Sequence, residues 1–384
     1  MYKNILKPKL RKTVNIWRNR PIRNVFKKNY NKKVLLSYIT MPFKKQSLAH
    51  TNYFEAKSIA SIFDELGYIV DVVEYTKEKF INLDDYDVII GFGDVFKSYF
   101  ENYNKSVITI YYGAGMHVCH QNTATLNRLK DVYVKKKVWL TASARYVEKT
   151  WSHQTTLVDG IIALGNKACA TTYAKHYTGK IFTVPAPCYV TQDALNILNS
   201  RSLKANKNFL WFGSVGLVHK GLDLLLDYFS KNSHLQLHIC GAIDLEKDFV
   251  TAYKKELYGN SNIHVHGFID IESIKFRNIL AECNFTIFPS CSEGGCPSVA
   301  IAVMNGALIP IVSKETSFST GSEIVIETLD AKGISAAIDK ALGLSQKELV
   351  DLQLENYNYV KLNNSQSNYY HKLKESIENI IYEI

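Results

Sequence analysis

From Val34 onward, short apolar runs alternate with helical patterns, and this alternation constrains the fold more than any other feature of the chain. The runs VLLSYIT, YIVDVVEY, DVIIGFG, SVITIYYGAG, GIIALG and IFTVPAP are bounded by glycine or proline and rich in β-branched and aromatic residues. They read as strands buried on both faces. A helical pattern from Asn52 to Leu66, stopped by Gly67, separates the first two. Strand and helix in turn predict a doubly wound α/β domain over 34–190. The polar stretch 191–208 reads as a linker. A second series over 209–344 then carries NFLWFG, LQLHICG, NIHVHGF and FTIF. Residues 345–384 read as charged helices that pack back across the first domain, opened by Ser345 and Glu348 at capping-box spacing.

A chain of 384 residues suits two domains. The net charge of +10 is placed unevenly: residues 1–33 hold twelve Lys and Arg and no acid, leaving 34 basic against 36 acidic residues beyond them. Within this arm Leu6, Leu10, Val14 and Trp17 are spaced to share one helical face. A basic amphipathic segment with Trp is expected to lie on an anionic membrane surface. A solvated tail and a nucleic-acid contact are the alternatives, and the acidic body beyond the arm argues against nucleic acid. The seven cysteines are scattered without a C-x-x-C pair, which suits a reducing compartment with no disulfide framework and no zinc motif. No apolar run approaches the roughly 18 residues of a membrane span, and no signal-peptide core follows the basic start. The expected location is cytoplasmic, on the inner face of the plasma membrane.

The stretch Phe285–Ser313 reads as strand, Gly-rich turn, helix and strand. Its loop, Pro289 to Ser298, offers Glu293, the pair Gly294-Gly295, and Pro297-Ser298 as a helix start. Unpaired N–H groups at such a helix entrance can receive an anion or a ring of hydroxyls, and ligands of open α/β sheets sit at this edge. The plainer reading is that Gly-Gly only turns the chain.

Four blocks carry a family resemblance in their order: FGSVGLVHKGLDLLL, LHICG, NIHVHGF and FPSCSEGGCPSVAIAVMNGALIPIVS. Together they resemble the family-4 glycosyltransferases, retaining enzymes of the GT-B fold, over about Phe209 to Ser313. The first half matches only in strand order and in the histidines after the fourth strand. The resemblance implies two doubly wound Rossmann-like domains facing across a cleft. It implies transfer of a sugar from a nucleotide-activated donor to a glycan or lipid-linked acceptor hydroxyl, in bacterial surface polysaccharide or glycoconjugate assembly. No metal and no cofactor are implied, the nucleotide-sugar being a substrate.

Carried over by position, Lys220 stands where the family binds the diphosphate, and Gly213 and Gly216 would admit the phosphates to the backbone. A lysine at a helix start opposes the helix dipole, which favours this reading over that of a surface lysine. Glu293 matches the family's first acid, followed by Gly294, Gly295 and Cys296 where amides meet the donor sugar. Ser298 caps the helix or touches the nucleotide. Gly115, His117 and His120 follow the fourth strand, where the family places a histidine near the reacting centre; His117 is the preferred one. Lys220, Glu293 and His117 are thus the expected catalytic residues. Two positions depart from the pattern: Ser214 replaces an arginine, and Ile301 stands where a second acid would grip the ribose. A silent GT-B subunit binding glycan or a partner enzyme, and a nucleotide-sugar epimerase or phosphorylase of the same fold, are the rival readings.

Overall fold

The computed structural model describes residues 20–76, 81–102, 106–148, 151–201 and 203–383. The helical face expected from Leu6, Leu10, Val14 and Trp17 lies outside the described residues.

The first domain is a six-stranded parallel sheet of β1 (Lys32–Tyr38), β2 (Tyr68–Glu74), β3 (Val88–Gly91), β4 (Ile108–Gly113), β5 (Gly160–Leu164) and β6 (Lys180–Val184), in the order β2-β1-β3-β4-β5-β6. Alternate residues of each strand feed two cores. Val34 and Leu36 of β1, and Val88 and Ile90 of β3, enter one; Leu35 and Ile89 enter the other. This double burial is why the strands read as continuous apolar runs. The second domain repeats the plan with β7 (Asn208–Phe212), β8 (Gln236–Cys240), β9 (Ile263–Gly267), β10 (Phe285–Phe288), β11 (Ile309–Ser313) and β12 (Ile324–Ile326), in the order β12-β11-β10-β7-β8-β9. Only three residues long, β12 gave no periodic signal in the sequence.

The helices that bear on the cleft are α1 (Asn52–Glu65), α2 (Val118–Lys136), α3 (Ala194–Ser200), α4 (Leu222–Phe229), α5 (Pro297–Gly306), α6 (Gln346–Asn363) and α7 (Gln366–Tyr382). The expected capping box opens α6, with the Ser345 hydroxyl accepting from Glu348 N–H and the Glu348 carboxylate accepting from Ser345 N–H. Leu349 and Val360 of α6 belong to the second domain's core, whereas Tyr369, Leu373, Ile377 and Ile380 of α7 belong to the first. The chain therefore crosses back to the first domain. The close seat of α7 explains Gly160, where a Cβ would meet Ile380 Cδ1 at 2.6 Å.

Two sequence boundaries shift. The basic arm does not extend to residue 33 as a separate segment: Ile22 forms an antiparallel bridge to Val72, Val25 N–H donates to Val70 O at 2.9 Å, and Arg23 pairs with Asp71 at 2.8 Å. Residues 22–26 cover the free edge of β2, which would otherwise present unpaired backbone groups. Likewise, the polar stretch 191–208 holds α3, capped by Asp193, rather than an open linker. Asn305 of α5 fixes the crossover, its side-chain oxygen accepting from Thr191 N–H at 2.6 Å and its amide donating to Tyr189 O at 2.7 Å.

α2 starts on the first domain and lands on the second. Leu129, Val132 and Leu140 join the second domain's core, and the Arg128 guanidinium meets the buried Asp223 carboxylate of α4 at 2.5 Å. No helix among the described residues is long and apolar enough to cross a membrane.

Candidate functional site in the interdomain cleft

A cleft of about 490 Å³ lies between the carboxyl edges of the two sheets. From the second domain it is walled by Gly213, Ser214, Lys220, Glu293, Gly294, Cys296, Pro297, Ser298 and Ile301, and from the first by Tyr38, His50, Glu55 and Arg145, among others. Its size lies within the ~300–1,000 Å³ of small-molecule sites.

Glu293 and Lys220 form its charged centre. Lys220 Nζ donates to Glu293 Oε1 at 2.7 Å, Ser290 Oγ donates to the same oxygen at 3.2 Å, and Arg145 lies 3.4 Å away. Burial alone would raise the Glu293 pKa, but Lys220, Arg145 and His219 outweigh it and hold the carboxyl at about 2. Glu293 is thus ionised across the working pH range. His219, next to Lys220, is fully buried between the Thr125 hydroxyl at 2.8 Å and the Ser292 carbonyl. Burial, then Arg145, lowers its pKa to about 3, so it is a neutral strut that ties the two domains together.

The local sequence explains how Lys220 reaches this position. Gly221 has φ +68°, and a Cβ there would meet Pro289 O at 2.2 Å. Glycine is therefore needed where α4 begins against the strand-loop junction. The loop Ser292–Cys296 is equally tight. A Cβ at Gly294 would meet Ala114 O at 2.6 Å, and one at Gly295 would meet Ala186 Cβ at 2.8 Å. These glycines let the loop press against the first domain as well as turn, and Cys296 enters α5 with φ +44°. Burial pushes the Cys296 thiol up to about 12, which removes thiolate chemistry from the site.

Several expected residues are placed differently. His117 does not wall the cleft. It is fully buried, caps α2 by accepting Cys119 N–H at Nδ1, and stacks on His176 with centroids 4.1 Å apart. Desolvation lowers its pKa to about 4. Its ring is packed among Trp151, Tyr173 and His176 of the first domain, and its backbone N–H is taken by the Thr172 hydroxyl. His120 pairs with Glu315 across the domains at 2.9 Å, and neither it nor Gly115 lines the cleft. The N–H of Gly216 is taken by the buried Glu246 carboxylate, which also accepts from Leu217 N–H at 3.1 Å, so it is not offered to a phosphate. Gly295 faces Ala186 and Gly165 rather than the cleft.

His117, Cys119 and His176 bring their ligand atoms within 4.8 Å of one another. The imidazoles stand only 19° from parallel, so their lone pairs run side by side rather than converge, and one His117 nitrogen already accepts a backbone N–H. The set suits helix capping better than metal coordination.

Arg145 and His50 had no sequence signal. Arg145 belongs to a strap after α2 that Asp248 holds by accepting from Ala142 N–H at 2.7 Å and Ser143 Oγ at 2.7 Å. It brings a second cation to the cleft that Ser214 does not supply. His50 lies at the exposed mouth. Crowding by the cleft walls lowers its pKa; nearby Glu55 opposes this, and Lys220 and Arg145 add to it. Glu55 is buried on the cleft floor, its Oε2 accepting from Tyr38 OH at 2.9 Å and Tyr112 OH at 3.1 Å.

Residues 206–343, about a third of the chain, match the family model described as glycosyl transferases group 1. No curated protein matches the chain. Among solved structures it is similar to a glycosyltransferase from Rickettsia africae ESF-5, with 12% identity and a TM-score of 0.58 over 92% of this chain and 100% of that one. It is also similar to Anabaena HepE in complex with UDP and glucose, with 10% identity and a TM-score of 0.56 over 91% of this chain and 100% of that one. TarM is matched at 15% identity and a TM-score of 0.49 over 78% of this chain, which spans 56% of TarM's length.

The class these observations define is the GT-B fold, two six-stranded Rossmann-like domains about a cleft. The group 1 domain within it supports a GT-B glycosyltransferase.

Proposed function

We propose that the chain transfers a sugar, with retention, from a nucleotide-activated donor to the hydroxyl of a glycan or lipid-linked acceptor. The observation that carries this reading is the buried Lys220–Glu293 pair beside Arg145 in an interdomain cleft. Lys220 and Arg145 take the departing diphosphate, and Lys220 exchanges its carboxylate partner for phosphate oxygens when the donor binds. Glu293, still ionised, then accepts from a sugar hydroxyl next to the entrance of α5. Stabilising the leaving diphosphate is the major term expected in such a transfer, and two cations can supply it without a metal. Ile301 walls the cleft where the resembled family grips the ribose with an acid; Asp270 and Glu272, which wall the cleft as well, are the carboxylates available for that task.

The chain is placed at an anionic membrane face in surface polysaccharide or glycoconjugate assembly. The basic arm supports this, as does the outer face of α2, where exposed Leu126, Lys130, Tyr133 and Val134 share a stripe that runs on to Val138 and Trp139. A silent subunit is the second reading, favoured by Ser214 and Ile301 in the cleft wall.

The test is thermal denaturation with millimolar UDP, GDP, ADP or dTDP. A ligand at 100 times its Kd stabilises by about 2.7 kcal/mol; one of the four should raise the melting temperature, and Lys220→Ala should remove the shift. No shift with any of them would favour the silent subunit.

A further inference from the structure

A second cavity, of about 400 Å³, opens on the first domain beside the cleft mouth. Three segments build it. Phe26 comes from the strand-edge segment, Pro42 to Gln46 from the turn after β1, and Lys57 and Ser61 from one face of α1. Phe26 and Phe43 pack against the first domain's core and form its apolar wall. The polar groups are Lys44, Lys45, Lys57, Gln46 and Ser61, and among the described residues no carboxylate lines the cavity. Asp64, one turn further along α1, faces Lys28 at 4.0 Å. Among the described residues Lys45 and Lys57 make no ion pair, whereas Lys220, Arg128, Lys135 and Lys136 in the interdomain region all do.

The Lys45 and Lys57 ammonium groups share this cavity, and among the described residues no carboxylate in the lining offsets their charge. Such a concave basic surface concentrates anions, and lysine is a common phosphate ligand through its compact charge and three donors. Lys45 and Gln46 also wall the interdomain cleft, so one short turn forms the partition between this cavity and the site of Lys220 and Glu293.

We propose that this cavity binds the phosphate or diphosphate group of the acceptor, placing the acceptor's hydroxyl over the partition and into the cleft. Phe26 and Phe43 then lie against the carbon skeleton next to the phosphate. The assignment of the group as the acceptor's rests on the glycosyltransferase reading above; the anion site itself rests on the cavity alone. A prenyl diphosphate and a soluble sugar phosphate share this chemistry, and the apolar wall separates them: a prenyl chain gains from Phe26 and Phe43, and a second sugar does not.

The experiment uses the full chain saturated with whichever nucleoside diphosphate binds, so that Lys220 and Arg145 are occupied, and titrates inorganic pyrophosphate, farnesyl diphosphate and glucose 1-phosphate by calorimetry. Pyrophosphate should still bind, and K45Q/K57Q should weaken it about tenfold or more, equivalent to about 1.4 kcal/mol. Farnesyl diphosphate binding more tightly than pyrophosphate identifies a lipid acceptor; glucose 1-phosphate doing so identifies a soluble one. Absence of pyrophosphate binding, or equal binding by K45Q/K57Q, overturns the proposal. Should no nucleotide bind while pyrophosphate binding depends on Lys45 and Lys57, the donor reading fails and the anion site stands. Circular dichroism and melting of K45Q/K57Q exclude misfolding, and Lys57→Arg, which keeps the charge, should retain binding.

Discussion

The two walls of the cleft are built on opposite principles. On the second domain the charges are buried and already matched: the Lys220 side chain is 7% exposed and that of Glu293 11%, and they touch at 2.7 Å. On the first domain the mouth is made of exposed Lys45, Gln46, Ala49 and His50, and the one carboxylate buried beneath them among the described lining residues, Glu55, is held by tyrosine hydroxyls rather than by a cation. A buried pair costs desolvation and returns a fixed geometry, whereas an exposed loop costs little and fixes little. On the proposed function, the first kind suits a leaving group common to all donors, and the second suits an acceptor that differs from one enzyme to the next.

The strongest way to break this comparison is Lys220→Ala set against Lys45→Ala. Losing Lys220 leaves the Glu293 carboxylate in the interior with the Ser290 hydroxyl and the half-exposed Arg145, so stability should fall by about 3 kcal/mol and the nucleotide-dependent melting shift should vanish. Lys45→Ala should change stability by no more than about 0.5 kcal/mol and leave the shift intact. Equal losses from both would show that the walls do not differ as described. Urea unfolding of each variant checks it.

Acid should expose the same asymmetry. His219, His117 and His238 are held neutral, with pKa values lowered to about 3, 4 and 3 from an ordinary 6.5. The unfolded chain takes up these protons first, so their contribution is complete above about 6.5 and is lost as pH falls from there toward the folded values. Each adds a slope of up to about 1.4 kcal/mol per pH unit. Glu293 adds a loss of the same sign between its ordinary 4.5 and about 2. Urea midpoints measured across this range should fall with pH, and His219→Asn should flatten the slope more than His50→Asn does. A slope that His219→Asn leaves unchanged would remove His219 from the account.

Gly294→Ala and Gly115→Ala sharpen the contact between the walls. The first drives a Cβ to 2.6 Å from Ala114 O and should cost about 1–3 kcal/mol. The second meets nothing nearer than Gln121 Oε1 at 3.7 Å and should be nearly neutral. Melting temperatures of the two variants decide whether the loop is held by the first domain.

What the sequence disclosed follows the same division. Eleven of the twelve strands among the described residues were visible through their apolar runs, most of them buried on both faces, and Lys220 and Glu293, which meet at 2.7 Å, were singled out by the order of blocks around them. The histidines misled because a motif places a residue after a strand but does not set the direction of its side chain. The ring of His117 is held by Trp151, Tyr173 and His176, residues that no local motif around it includes. Arg145 was invisible because what positions it is Asp248, about a hundred residues further along the chain. The arm's true limit was hidden by its charge: twelve bases outweigh Ile22, Val25 and Phe26 in any compositional reading, yet those three pack on the first domain's core and one of the bases, Arg23, pairs with Asp71.

The smallest expected effect tests whether the walls communicate. Tyr369 of α7 shares a hydrogen bond of 3.0 Å with Tyr112, which donates to Glu55 at 3.1 Å, so the chain's last helix reaches the cleft floor through two phenols. Tyr369→Phe removes one hydroxyl and keeps the ring against Phe54. It should cost about 1 kcal/mol and leave nucleotide affinity unchanged, because Tyr112 keeps its own bond to Glu55. Calorimetric titration of the nucleotide against this variant gives the answer. A fall in affinity would mean that the order of the buried donor side depends on the tyrosine network of the acceptor side, and the two walls would then be one cooperative unit rather than two independent surfaces.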